Sequence, residues 1–246
     1  MKKQVLFIQG AGEGAYEEDG KLVKSLRDVL GVEYSVLYPK MPKEESSGYE
    51  AWKAQISKSL AALDGKVILV GHSVGSSMLL KYLSEESVEK SLTGLFLIAA
   101  PYWGPGGWQM DEFTLDEDHA SKLFKSLPIF FYHSRDDDIV PFAHLAMHAE
   151  KFPQATIREF DGRGHQFNND LSEVAADITS LQDLPKLSQP AHRALASAGI
   201  QNLQQLTKFS EAEIKQLHGI GPNALIQLHR ALADNGLSFA NKKKES

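Results

Sequence analysis

Six short apolar runs alternate with helix-period segments over the first 182 residues, and this alternation leaves few folds open. The runs are Val5–Gln9, Glu33–Tyr38, Val67–Gly71, Leu95–Ala100, Ile129–Ser134 and Thr156–Phe160. Between them apolar residues recur at helical spacing, as in Leu22, Leu26 and Val29, or Ile56, Leu60 and Leu63. A last helical segment carries Leu171, Val174, Ala175, Ile178 and Leu181. Strand–helix alternation builds a parallel sheet with helices on both faces. A run as uniformly apolar as Gly94-Leu95-Phe96-Leu97-Ile98 suits a strand covered on both sides. The expected fold class is α/β, a three-layer parallel sheet of about six strands. Ligands in such sheets bind beyond the C-terminal strand ends, so the loops there are where chemistry is expected.

After Asp183-Leu184-Pro185 the pattern becomes purely helical. The spacing predicts helices over Ser188–Ala198, Asn202–Leu206, Ser210–Gln216 and Pro222–Asn235. Ser210-x-x-Glu213 is a capping box, and Pro222 suits a first helical turn. Charge changes sign at the same place. The whole chain carries −6, yet from Pro185 onward eight Lys/Arg stand against four Asp/Glu. The expected organisation is a domain over 1–183, a small all-α domain over 186–240 and a disordered basic tail over 241–246. No apolar stretch approaches the ~20 residues that cross a bilayer. Met1-Lys2-Lys3 before Val5-Leu6-Phe7-Ile8 reads as a buried strand rather than a leader. The chain has no cysteine, which excludes disulfides and thiol catalysis. A cytoplasmic protein is the simplest expectation.

Gly71-His72-Ser73-Val74-Gly75 lies between the third apolar run and a helical pattern. A serine hydroxyl is a poor nucleophile unless a strained turn lifts it beside a base, and glycines on either side let strand and helix approach that turn. A base and an acid then belong on later strand ends, in the order Ser, acid, His. Asp136, Asp137 and Asp138 lie just past the fifth run, and His165 follows the sixth. In this reading His165 takes the Ser73 proton and the acid holds the imidazole tautomer. The oxyanion would be met by the backbone N–H groups of Val74 and of Ala11, in the loop after the first strand. The long aperiodic segment 101–118 contains Trp103 and Trp108, which either line an acyl pocket or close the core beneath the loop.

Residues 1–182 resemble the small, lid-poor serine hydrolases of the α/β-hydrolase superfamily, nearest the retinoblastoma-binding-protein-type group. The resemblance rests on Gly71-His72-Ser73-Val74-Gly75, Ser134–Pro141 and Gly164-His165-Gln166-Phe167. It implies that the acid lies four residues before Pro141, which is Asp137, with Asp136 the runner-up. It also implies hydrolysis of small carboxylic esters or thioesters without a cofactor. Gln9-Gly10 stands where many α/β-hydrolases have His-Gly. Residues 186–240 resemble the helix-hairpin-helix module at the C-terminus of the bacterial RNA polymerase alpha subunit, most specifically in Leu217-His218-Gly219-Ile220-Gly221-Pro222. That resemblance implies a phosphate contact at Gly219 and Gly221, hence a nucleic-acid partner, with protein docking or plain packing as the alternative. Asn223 stands where such hairpins often carry a basic residue.

Two other patterns have bland readings. Gly10-Ala11-Gly12-Glu13-Gly14-Ala15 matches a dinucleotide fingerprint, but the second strand ends in Leu37-Tyr38-Pro39 without the acid a ribose needs. His144 and His148, one helical turn apart, have no third metal ligand nearby in sequence and are expected on a solvated helix face. His72 and His133 flank the site and are expected to pack or hydrogen-bond. The competing functional reading is a nucleic-acid- or polymerase-associated binding protein that uses the hydrolase fold as a scaffold.

Overall fold

The computed structural model describes residues 2–42, 44–88, 90–110, 113–114, 127–181 and 183–240. The tail expected over 241–246 and part of the 101–118 segment therefore lie outside the described residues. The chain divides into two compact units, one of residues 1–123 and 129–178, the other of residues 124–128 and 179–246.

The first unit is built on six parallel strands: β1 (Lys3–Ile8), β2 (Tyr34–Leu37), β3 (Lys66–His72), β4 (Ser91–Ile98), β5 (Ile129–Ser134) and β6 (Thr156–Phe160). Their spatial order is β2-β1-β3-β4-β5-β6. Among the described residues, helices α1 (Ala15–Leu30), α2 (Glu44–Ala61), α3 (Val74–Glu85) and α4 (Ala143–Lys151) lie between them in sequence, and α5 (Ser172–Ser180) follows β6. The chain leaves β1 toward β2 and returns to β3 on the other side, so β1 and β3 flank the switch point. There two loops diverge and open a crevice at the C-terminal edge.

Burial follows the sequence pattern. All six residues of β5 are buried, as are all but the first of β3 and β4, which are the sheet's centre. The edge strand β6 reads Thr-Ile-Arg-Glu-Phe and keeps Arg158 and Glu159 at the surface, charges that discourage strand addition. On α1 the buried stripe is Leu22, Val23, Leu26 and Leu30, while Val29 is half exposed. Leu22 and Leu26 are thus inward as expected, whereas Leu30 rather than Val29 continues the stripe, and Asp19 shares the same inward face.

The junction of β3 and α3 explains two glycines by volume alone. A Cβ on Gly75 would stand 2.2 Å from the Gln9 carbonyl oxygen and 2.4 Å from that of Ile8. A Cβ on Gly71 would stand 2.7 Å from the backbone N and Cα of Ser76. Neither neighbour is a flexible side chain, so the backbone itself would have to move. Gly75→Ala is expected to cost about 3 kcal/mol, read as a lower urea midpoint at unchanged slope; a parental midpoint would show that the close approach is not needed.

The second unit is helical where described: α6 (Gln189–Ser197), α7 (Leu203–Leu206), α8 (Glu211–Lys215) and α9 (Pro222–Asp234). These bounds fall within a residue of the sequence expectation. The Ser210–Glu213 capping box forms, and a second box, Asn202–Gln205, caps α7. The helices close over their own core of Leu195, Ile200, Leu206, Ile214, Leu228 and Leu232.

Candidate active site

Ser73 caps α3 with φ 51° and ψ −128°, a left-handed conformation costly for a residue with a side chain. Backbone hydrogen bonds hold it there: Ser73 N–H donates to the Ile98 carbonyl at 2.8 Å, and Ser76 N–H to the Ser73 carbonyl at 2.9 Å. Gly10 lies directly opposite, close enough that a Cβ on it would be 3.1 Å from the Ser73 Cβ. The loop that carries Ala11 therefore runs beside the serine, as expected at the switch point. Val74 follows as the first residue of α3, so its N–H belongs to the unpaired donors of a helix N-terminus.

The loops after β5 and β6 bring an acid and an imidazole together. His165 Nδ1 lies 2.9 Å from Asp137 Oδ2 and 3.0 Å from Oδ1. The Asp137 side chain is fully buried, and that of His165 is 12% exposed. Asp137 also accepts N–H bonds from Ile139 (2.9 Å) and Val140 (2.8 Å) and faces His133 Nε2 at 3.2 Å. Burial pushes this carboxyl up, but the bonds from His133 and His165, the His165 charge and the Val140 N–H outweigh it. The group is held well below the usual carboxylate range and stays ionised.

Three consecutive aspartates thus separate by geometry. Asp136 is exposed and points at the histidine loop, accepting the backbone N–H groups of Arg163 and Gly164 at 3.2 Å and the Ser134 hydroxyl at 2.5 Å. Arg163 ties the same loop down through Asp170 (3.2 Å) and Glu173. Phe167, Asn168 and Asn169 then all take positive φ (48°, 51° and 57°), with the Phe167 ring buried against Phe160 at 5.5 Å. This anchored, strained turn fixes the direction of the segment that carries His165.

Both flanking histidines are buried and paired. His133 Nε2 reaches the Val140 carbonyl at 3.0 Å as well as Asp137. His72 Nε2 lies 3.0 Å from the His165 carbonyl oxygen, and its Nδ1 lies 2.9 Å from Asp19 Oδ1. Asp19 was not anticipated from sequence. Its signal was an acid at an inward-facing position, three and four residues before the buried Leu22 and Val23.

The segment after β4 starts at the elbow, where Ser77 Oγ donates to the Pro101 carbonyl at 2.7 Å. Trp103 is buried edge-on to Trp108 (5.3 Å) and to Phe113 (5.1 Å). His144 and His148 correct the sequence expectation, since both are buried rather than solvated. They face this aromatic loop: His144 Nδ1 accepts the Tyr102 N–H at 2.9 Å, and His148 meets the Tyr102 ring edge-on at 5.3 Å while stacking on Phe131 of β5 at 4.7 Å. A nitrogen that accepts a backbone N–H is already committed, and burial pushes His144 further toward its neutral form.

In the second unit, Gly219 has φ 108° and leaves no room for a side chain: a Cβ would be 2.8 Å from the Pro190 carbonyl oxygen. Gly221 is extended and caps α9. A cavity of about 570 Å³ opens here, with Arg193, Ser197, His218 and Gly219 among its walls. Among the described residues no helix is long and apolar enough to cross a membrane.

Known proteins share this fold. The YdeN protein of Bacillus subtilis (strain 168), named as a candidate hydrolase, is 28% identical over 167 residues, covering 67% of this chain and 86% of YdeN. The crystal structure of the B. subtilis ydeN product superposes with a TM-score of 0.58 at 25% identity, over 73% of this chain and 98% of that one. Est1E from Butyrivibrio proteoclasticus (TM-score 0.54, 14% identity, 72% and 85% covered) and an esterase domain from Rhodothermus marinus (0.52, 18%, 72% and 82%) share the fold. The model of the serine hydrolase family matches residues 37–171, from the end of β2 through the elbow, the acid and the histidine loop. The chain belongs to the serine hydrolase family, on an α/β-hydrolase fold.

Proposed function

We propose that this protein is a serine esterase, cleaving small carboxylic esters or thioesters through an acyl-enzyme, within the retinoblastoma-binding-protein-type group. The observation that carries the reading is the Asp137–His165 pair, with Nδ1 facing the carboxylate, on the strand edge that also presents the strained Ser73. With Nδ1 protonated, Nε2 is left as the base. His165 takes the Ser73 proton as Oγ attacks the acyl carbon, and the C–O or C–S bond to the leaving group breaks as His165 returns that proton to it. Water then enters by the same route: His165 deprotonates it, and the tetrahedral centre expels Ser73 Oγ, which recovers the proton. Asp137 stays a carboxylate throughout and stabilises the imidazolium. The N–H groups of Ala11 and Val74 meet the oxyanion; removing one such donor costs ~10²–10³ in rate.

Trp103 and Trp108 form the acyl-side wall in this reading, a rigid aromatic group that favours short acyl chains. Hydrolysis of p-nitrophenyl esters is expected to fall by about tenfold or more in kcat/KM from butyrate to decanoate, a loss near 1.4 kcal/mol. Equal rates across the series would remove the short-chain reading.

The helical unit is proposed as a helix-hairpin-helix module, supported by the tight Gly219 turn before α9. Its role in this reading is packing or protein docking. Duplex-DNA binding that weakens between two salt concentrations would instead make it a nucleic-acid reader.

A further inference from the structure

Three loops must keep their mutual positions for the proposed chemistry: the oxyanion loop at Gly10–Ala11, the elbow at Ser73, and the turn that carries His165. One buried side chain touches all three. Asp19, 1% exposed on α1, accepts the Gly10 N–H on Oδ2 at 2.7 Å. Its Oδ1 accepts the Gln166 amide N–H at 3.1 Å and lies 2.9 Å from His72 Nδ1. His72, also 1% exposed, reaches from the residue before Ser73 to the carbonyl of His165 at 3.0 Å.

Proton accounting decides the state of His72. A carbonyl oxygen offers no hydrogen, so Nε2 must carry one to make the bond to His165. A bare Nδ1 lone pair 2.9 Å from a carboxylate oxygen would be repelled, so Nδ1 carries one too. That second contact is one of charge rather than a straight hydrogen bond, since the N–H is not aimed squarely at the oxygen. An imidazole with both nitrogens protonated is a cation. We propose that His72 is a standing imidazolium, and that its buried pair with Asp19 clamps the oxyanion loop, the elbow and the histidine turn into one working geometry. Asp19 and His72 are positioning residues, and their catalytic consequence rests on the reading of Ser73 and His165 above.

The titratable groups around His72 are Asp19 on α1, Asp137 in the loop after β5 and His165 in the loop after β6. Burial alone would drive His72 neutral, but the close Asp19 carboxylate and the His165 carbonyl carry it above the usual histidine value. Burial likewise pushes Asp19 up, and His72, Gly10 and Gln166 outweigh it, leaving it below the usual carboxylate value. By linkage, the His72 contribution to stability is full below the unfolded histidine value. It is lost only as pH rises through the higher folded one.

The test has two arms that fail separately. First, ¹⁵N NMR of the histidine side chains in the unmodified chain, with His72 assigned through a His72→Gln variant, should show both His72 nitrogens protonated at pH 7.5. A single protonated nitrogen there overturns the imidazolium assignment, whatever the enzyme's activity. Second, with p-nitrophenyl butyrate, Asp19→Ala should lower kcat about 100-fold with KM within about threefold, the size expected when reacting groups are misplaced by about 1 Å. Asp19→Asn, which keeps the shape and one acceptor, should fall between it and the parent and show His72 with one proton. Parental kcat in Asp19→Ala, or a loss wholly in KM, overturns the clamp. An inactive parent defeats the esterase reading, while the NMR arm still judges the ion pair.

Discussion

Ser73→Ala should lower kcat/KM for p-nitrophenyl butyrate by about 10⁴–10⁶-fold and leave the fold intact. The bonds that hold the elbow are backbone bonds, from Ser73 N–H to Ile98 and from Ser76 N–H to Ser73, so alanine keeps them. Its φ of 51° is as costly for alanine as for serine, so thermal midpoints should agree within a few degrees. What disappears is the only atom that bonds to the acyl group. His165→Ala should cost a similar factor, because serine and base act as one unit. The double variant should then be no slower than either single one, a non-additivity that two independent contributions would not produce. Residual hydrolysis would come from the oxyanion donors, which neither change removes.

Asp137→Asn should cost about 10⁴ in kcat through a tautomer rather than through lost structure. The Ile139 and Val140 N–H groups both bind Oδ1, so an asparagine would turn its oxygen to them. Its NH₂ would then occupy the Oδ2 position, 2.9 Å from His165 Nδ1 and 3.2 Å from His133 Nε2. A donor there forces His165 to accept on Nδ1 and carry its proton on Nε2, where it cannot take one from Ser73. Asp136→Asn should cost tenfold or less, because an amide oxygen can still accept from Ser134, Arg163 and Gly164. The reverse ranking would reassign the acid. The stability sign is also fixed. Asp137 is depressed in the folded state, so it contributes above the unfolded carboxylate value of about 3.9 and loses that contribution as pH falls toward the folded one. The stability gap between parent and Asp137→Asn should therefore shrink in acid.

Much of this architecture is legible because it repeats at short range. Apolar runs become strands, capping residues mark helix starts, and the elbow glycines sit where any Cβ would strike the Gln9 or Ser76 backbone. What escapes is set by partners distant in sequence. β4 begins at Ser91, four residues before its apolar run, because Ser91 and Leu92 pair with Lys66 and Val67 across a bulge. His144 and His148 look like surface residues until the aromatic loop covers them. Asp19 sits in the charged segment Glu17-Glu18-Asp19, where its one local signal is its place on the inward face, three and four residues before Leu22 and Val23. Only Gly10, His72 and Gln166, brought from three other parts of the chain, make it a buried acceptor. The choice among Asp136, Asp137 and Asp138 has the same character: composition offers three carboxylates, and only packing shows which one meets His165.

The central claim is that Ser73 forms a covalent bond to an acyl or phosphonyl group with His165 as its base. Intact-protein mass spectrometry after brief treatment with a fluorophosphonate tests it most directly. The account predicts one phosphonyl adduct per chain, mapped to Ser73, absent in Ser73→Ala and formed at least 100-fold more slowly in His165→Ala, a loss of 2.7 kcal/mol or more in transition-state stabilisation. No adduct on the parent, or labelling that survives Ser73→Ala undiminished, would contradict it.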